Sequence, residues 1–339
     1  MNSGRITRAE VALKAGVSKT AVTYALAGTP GTHISAATVK RVLSAARALG
    51  YQPNFAARSL AEGRTNIVGI LLPSQEMQFN LYYSRMIAGM LEAAEATAYH
   101  FLYLGQNHPR KYQRCLDQGY LDGVVVLQSR TESSHAATVA RSAIPAVTVN
   151  YLNRAGLPAV SPDYEGSLDE ALRLLMGGGA RRIALVCPRL DCQPNHRLVA
   201  RHAELARSLR GMAHLVHVDL DGFASVADAW REAIAGRRFD GFVVDGVQNG
   251  IETARLMTAS GQRPGEDCGL VIFRTCEPEM AVPPGAILLE APAEAVGREA
   301  WRVMEKVLEG SRAKRTSLVP FVRVAEIAAA KAPGTAPLE

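Results

Sequence analysis

A chain of 339 residues is too long for one ordinary hydrophobic core and implies two or three domains. With 48% hydrophobic and 21% charged residues it can bury a large core, which excludes disordered, collagen-like and coiled-coil chains. The net charge of +6 is unevenly placed: residues 1–65 hold nine bases against two acids, a net +7, and the rest of the chain stands at −1. A small basic segment ahead of a near-neutral body is the distribution of a polyanion-binding head on a separate body. The opening MNSGRITRAEVALKAG has no apolar signal core, and no stretch approaches the roughly 18 uncharged apolar residues that span a bilayer, so neither export nor membrane insertion is expected. Five cysteines in so long a chain suit a reducing compartment better than a disulfide framework.

Thr7 and Glu10 form an S/T-x-x-E capping box, which opens a helix at about Arg8 that Gly16 stops after Ala15. Ser18 caps a second helix from Lys19 to Ala27, ended by Gly28-Thr29-Pro30-Gly31. Two short helices joined by so tight a turn make a helix-turn-helix, whose second helix can lay its first side chains in a major groove. Ser35 caps a third, with Val39, Val42, Leu43 and Ala46 at helical spacing up to Leu49-Gly50. Pro53 and Gly63 bracket a further helix of barely two turns, too short to stand alone in water.

From Ile67 onward, strand-like apolar runs alternate with helical stretches. Strands are predicted at 67–72, 100–104, 123–127, 146–150, 182–187, 214–218, 241–245, 270–273 and 286–289, with helices at 82–97, 167–176, 197–209, 225–235, 251–260 and 293–308. Repeated β-α-β units with continuous Val/Ile/Leu strands predict parallel sheets covered on both faces. Nine strands divide into two sheets, with a cleft at their carboxyl ends. Signals of catalysis are weak. Gly177-Gly178-Gly179 follows a helix and precedes a strand, the reverse of a phosphate loop, and neither G-x-S-x-G nor H-E-x-x-H occurs. Cys187, Cys192 and His196 lack a fourth zinc ligand, His214 and His217 alternate sides of one strand, and Asp219 and Asp221 sit at a solvent-facing turn. No catalytic residue, metal or cofactor is expected. A small-molecule-binding module without DNA function and a cleft enzyme acting on a small metabolite are the alternative readings.

Residues 6–65, above all Glu10-Val11-Ala12, Ala15-Gly16-Val17-Ser18, Leu49-Gly50-Tyr51-Gln52-Pro53-Asn54 and Ala57-Arg58-Ser59-Leu60, resemble the headpiece and hinge of LacI-type (lactose-repressor-like) transcriptional regulators. Gly63 to Gly69, Asp163 to Gly166 and Gly179 to Ala184 resemble the same family's body, which looks like a periplasmic sugar-binding protein. The fold class so implied is an N-terminal all-α helix-turn-helix headpiece plus an α/β two-lobed periplasmic-binding-protein-like body with two parallel sheets. Residues 1–52 would be the DNA-binding domain, 53–65 the hinge helix and 66–332 the effector-binding and dimerisation domain, with 333–339 a flexible tail. Lobe one would hold about 66–161 and 291–318, and lobe two about 162–290 and 319–332, with crossings near Ser161, Glu290 and Val319.

The resemblance further implies a sequence-specific transcriptional regulator, a repressor, that is cytoplasmic and nucleoid-associated when bound. It would act as a homodimer on double-stranded operator DNA, and a sugar-like or anionic small-molecule effector would set its affinity; the short tail favours dimer over tetramer. Among its DNA-binding positions, Lys19, Thr20 and Tyr24 would read bases, Ser18 and Thr23 would face phosphates, and Thr7, Asn54 and Arg58 would complete the contact. Leu60 would be a wedge in the minor groove. Tyr82, Tyr83, Asn150, Arg197, Asn249 and Arg274 are the effector-binding positions, with Asp245 aligned more loosely. Two positions depart from the family pattern. Tyr24 stands where relatives commonly have arginine, offering one hydroxyl and a ring in place of a bidentate fork. Arg274 stands where they carry aspartate, exchanging an acceptor for a donor, which either favours a carboxylate or phosphate ligand or is held by a neighbouring acid.

Overall fold

Helix α1 (Arg8–Ala15) starts at the predicted box: the Thr7 N–H donates to Glu10 Oε2 at 2.6 Å, and the Glu10 N–H returns to Thr7 Oγ1 at 3.4 Å. Gly16 closes it with φ 64°, a left-handed turn that only glycine takes at little cost. Ser18 then caps α2 (Lys19–Ala27) by accepting the Ala21 N–H at 3.1 Å, and Ser35 caps α3 (Ala36–Leu49). Val11, Val22 and Val42 are fully buried at their meeting point, and Ala12, Ala15, Ala25, Ala45 and Ala46 let the three backbones approach closely. The structure, a computed structural model, describes residues 6–27, 34–52, 59, 60, 62–72, 80–105, 109–127, 134–150, 152, 156–188, 193–234, 236–275 and 280–324. It divides into two units, residues 1–65 and 66–339.

The second unit begins with β1 (Ile67–Leu72), α4 (Leu81–Ala94), β2 (His100–Gly105), α5 (Pro109–Asp117), β3 (Gly123–Leu127), α6 (Ser134–Arg141), β4 (Ala146–Val149) and β5 (Ala159–Pro162). There follow α7 (Tyr164–Gly177), β6 (Arg182–Cys187), α8 (Gln193–Ser208), β7 (His214–Asp219) and α9 (Val226–Ala229), which runs on as a π-helical turn over Trp230–Ile234. The chain then forms β8 (Gly241–Asp245), α10 (Val247–Ala259), β9 (Gly269–Arg274), β10 (Ala286–Glu290), α11 (Ala293–Leu308), β11 (Thr316–Val319) and β12 (Val322–Val324). Two six-stranded sheets result, ordered β11-β5-β4-β3-β1-β2 and β12-β10-β9-β8-β6-β7.

Each sheet is covered on both faces. Tyr83, Met86 and Met90 of α4 and Trp301 and Met304 of α11 cover one face of the first sheet, and Tyr112, Leu116 and Val139 cover the other. In the second sheet the two faces bury Phe242, Trp230 and Met257 on one side and Leu168, Leu172 and Leu198 on the other. The chain passes between the sheets three times, after β5, after β10 and between β11 and β12, each time leaving a strand at its carboxyl end. The carboxyl edges of the two sheets therefore bound the cleft between the lobes. Among the described residues no helix is long and apolar enough to cross a membrane.

Several elements differ from expectation. The pairing of β12 with β10 is antiparallel, so the second sheet is not wholly parallel. The short strands β5, β11 and β12 and the helices α5 and α6 were outside the predicted set. The helix expected at 225–235 is one α-helical turn followed by a π-helical one, and the helix expected at 82–97 ends at Ala94.

Candidate nucleic-acid interface and ligand cleft

In the first unit α2 turns Val22 and Ala25 into the core, which fixes what its other face presents. Ser18, Lys19 and Thr20 are exposed, and Tyr24 keeps 43% of its surface open, so its ring is not absorbed into the headpiece core. Thr23 is half-buried: its hydroxyl donates to the Lys19 carbonyl at 3.0 Å and accepts from Arg8 Nη1 at 3.4 Å, which ties α1 to α2. Thr7 is engaged in its own helix cap. Lys14, Lys19, Lys40, Arg41 and Arg47 are all exposed, and the ion pairs among the described residues lie in the other unit, so this surface keeps its positive charge. Leu60 is 87% exposed, an apolar side chain without cover in its own unit. Asn54 and Arg58 lie outside the described residues.

In the second unit Asn150 and Arg274 fall at strand carboxyl ends, and Tyr82, Tyr83, Arg197 and Asn249 fall near the amino ends of the helices α4, α8 and α10. Tyr82 and Tyr83 are both buried in the core of lobe one, with their rings packed edge to face. The Tyr82 hydroxyl donates to Oδ1 of Asn150 at 3.1 Å, so the two expected residues do meet. Asn150 follows the last residue of β4 with φ 62°, a left-handed conformation that asparagine tolerates better than most residues. Asn249 donates to the Asp245 carbonyl at 2.8 Å, and the Asp245 carboxylate accepts from Asn195 Nδ2 at 2.9 Å.

Both arginines of the expected pocket are held by acids. Arg197, on α8, grips Glu165 with Nε at 2.7 Å and with Nη2, while its Nη1 donates to the hydroxyl of Ser161 at the end of lobe one. It also lies 5.9 Å over the Tyr164 ring, and Tyr164 packs on Phe321, so the first and third crossings are pinned together. A surface cavity of about 440 Å³ opens beside it, lined by Leu152, Glu165, Asp169, Arg197 and Arg201; Arg201 in turn is paired with Asp169 and Glu204. Arg274 ends β9, is buried, and pairs through Nη2 with Glu290, the last residue of β10. The other oxygen of Glu290 takes Nη1 of Arg85 at 2.9 Å, and Arg85 Nε reaches Glu294 at 2.6 Å. Arg85, Ser161, Glu165, Asn195 and Glu290 were not among the expected site residues. Ser161 and Glu290 lie at expected crossings, and a carboxylate at a strand end is the sequence signal for Glu290.

The His217 ring nitrogen Nε2 sits 3.0 Å from the Cys187 carbonyl, and among the described residues no three His, Cys, Asp or Glu side chains cluster as metal ligands. Cys192 of the weak zinc run lies outside the described residues.

Residues 7–54 match the family described as "Bacterial regulatory proteins, lacI family". The chain is 28% identical to the HTH-type transcriptional regulator PtxS of Pseudomonas plecoglossicida over 323 residues, 91% of each protein. It is 27% identical to catabolite control protein A of Priestia megaterium over 196 residues, 56% of this chain and 58% of that one. Among solved structures, the lac repressor dimer bound to operator and the anti-inducer ONPF superposes with a TM-score of 0.74, covering 96% of this chain and 99% of that one at 19% identity.

Proposed function

Because residues 7–54 match the lacI family of bacterial regulatory proteins and the chain is similar to a transcriptional regulator along 91% of its length, we propose that it is a sequence-specific DNA-binding transcriptional regulator of that family, a repressor, whose operator affinity is set by a small molecule bound between its lobes. The observation that carries this reading is the exposed face of α2. Lys19, Thr20 and Tyr24 stand clear of a core closed by Val22, on a helix whose amino end is set by Ser18. That is the arrangement a recognition helix needs to place side chains in a major groove, with the basic surface around it to bind phosphates. The exposed Leu60 supports a minor-groove wedge, which works as a pair. A two-fold dimer on a pseudo-palindromic operator is therefore part of the proposal, as is action in the bacterial cytoplasm rather than catalysis. A ligand that prefers one spacing of the lobes shifts the population of dimers whose paired wedges can insert.

Selection of binding sites from a random duplex pool tests this. Wild type should enrich a sequence with two-fold symmetry, with Lys19→Ala and Leu60→Ala each weakening binding by about tenfold or more, the scale of one lost base contact of about 1–3 kcal/mol. No enriched sequence, or binding by both variants as tight as that of wild type, sinks the proposal.

A further inference from the structure

The arginine at the end of β9 is under-used for a buried cation. A guanidinium has five N–H donors in a planar fork, and when enclosed it normally spends several of them on acceptors. Arg274 is 8% exposed, makes one ion pair through Nη2, and leaves Nε buried without a hydrogen-bond partner among the described residues. Leaving such a donor unmatched is costly, and it sits at a strand carboxyl end, where α/β proteins place ligands. Its partner is also unusual. Glu290 splits its two oxygens between arginines from different lobes, Oε2 to Arg274 and Oε1 to Arg85, the way a small anion bridges two basic groups in a closed cleft. Arg85 has a second acid in Glu294 and stays neutralised without Arg274, whereas Arg274 has Glu290 alone among the described residues.

We propose that Arg274 anchors an anionic effector, a carboxylate or phosphate ester, and that Glu290 fills the anchor's place when the effector is absent. The inference rests on the effector-regulated reading above and names the chemical class of the effector. An incoming anion with two oxygens on one face engages Nε and Nη2 together, satisfying the donor Glu290 leaves bare. Glu290 then remains with Arg85, so charge stays balanced and no buried cation is left unpaired. A neutral polyol offers Arg274 weaker acceptors and cannot replace the displaced carboxylate.

The test is rescue by small anions in the full-length protein. In Glu290→Ala the truncated side chain leaves room on Arg274 for a carboxylate, so acetate titrated at constant ionic strength against chloride should raise the melting temperature by about 5 °C or more. Wild type, with Glu290 in place, should shift far less, and Glu290→Ala combined with Arg274→Gln should lose the response. Inorganic phosphate is the second probe, and glycerol the neutral control. Should Glu290→Ala fail to fold in chloride, Glu290→Gln keeps the shape without the charge and should show the same ranking with phosphate. Equal responses in wild type, the single variant and the double variant, or an equal response to glycerol, overturn the proposal. Operator selection is read separately through Lys19 and Leu60. Rescue failing while DNA selection succeeds removes the anchor and leaves the regulator; rescue succeeding without DNA selection does the reverse.

Discussion

His202 packs its ring 6.1 Å from that of His217, buried on α8 with Nε2 unpartnered among the described residues. Burial, and to a lesser degree the neighbouring His217, push its pKa down to about 4. The imidazole is therefore neutral in the folded protein well below the pH at which it charges when unfolded. Between about pH 6.5 and pH 4 the unfolded chain binds the extra proton, so stability rises with pH across that window and is lost as pH falls through it. At about 1.4 kcal/mol per unit, the loss assignable to this residue reaches about 2 kcal/mol by pH 5. His202→Leu should flatten that part of the profile, measured as the difference in melting temperature between pH 7 and pH 5. A variant that keeps the wild-type slope would show the ring is protonated without penalty. Single residues also mark where sequence reasoning ended. Asn150 was legible as a strand-end polar group, but nothing in Asn80-Leu81-Tyr82-Tyr83 says that both tyrosines turn into lobe one, because α4 must use them against the sheet. Arg274 was legible as a chemical exception; its acid, 16 residues on and opposite it across two strands, was not, because strand register is a tertiary fact.

Helices α4 and α11 cross at backbone contact. A Cβ on Gly89 would lie 2.1 Å from the Glu294 carbonyl oxygen, and one on Gly297 would lie 1.8 Å from that of Met86. Both obstacles are main chain, so no side-chain rotation relieves them. Gly89→Ala and Gly297→Ala should each destabilise by about 2 kcal/mol or more, overpacking outweighing the roughly 1 kcal/mol gained in helix propensity. Gly177→Ala, at the end of α7 with nothing within 4 Å of its Cβ, is the control and should be neutral or mildly stabilising. Chemical denaturation of the three variants checks this. Equal midpoints would mean that the two helices can separate freely. The long, strongly patterned elements were readable in advance for the same reason these two pack well: 293–308 carries a continuous apolar stripe through Val296, Ala300, Val303 and Met304. By contrast α5 opens with charge and buries only Tyr112 and Leu116 in its described part, and strands of three or four residues, such as β5, β11 and β12, are shorter than any periodicity can establish.

At the scale of the whole chain, the division into residues 1–65 and 66–339 separates a small core from two large ones. The first unit rests on three fully buried valines and a ring of alanines, whereas each lobe of the second buries both faces of a six-stranded sheet. Buried area grows faster than surface with size, so the headpiece should be the weaker unit by a wide margin. Calorimetry of the full chain should resolve two transitions, a low one from the headpiece and a high one from the body. Val42→Ala, which removes two methyl groups from the centre of α3's contact with α1 and α2, should lower the first transition by several degrees and leave the second in place. A chain of residues 66–339 should show only the higher transition, at an unchanged temperature. One merged transition, moved as a whole by Val42→Ala, would mean that the two cores melt together and that headpiece and body are energetically a single unit. The difference bears on the proposed regulation. A head that unfolds independently can pass a change in lobe spacing to DNA only through the chain that joins them, which places the coupling in the short segment carrying Leu60 rather than in a shared interface.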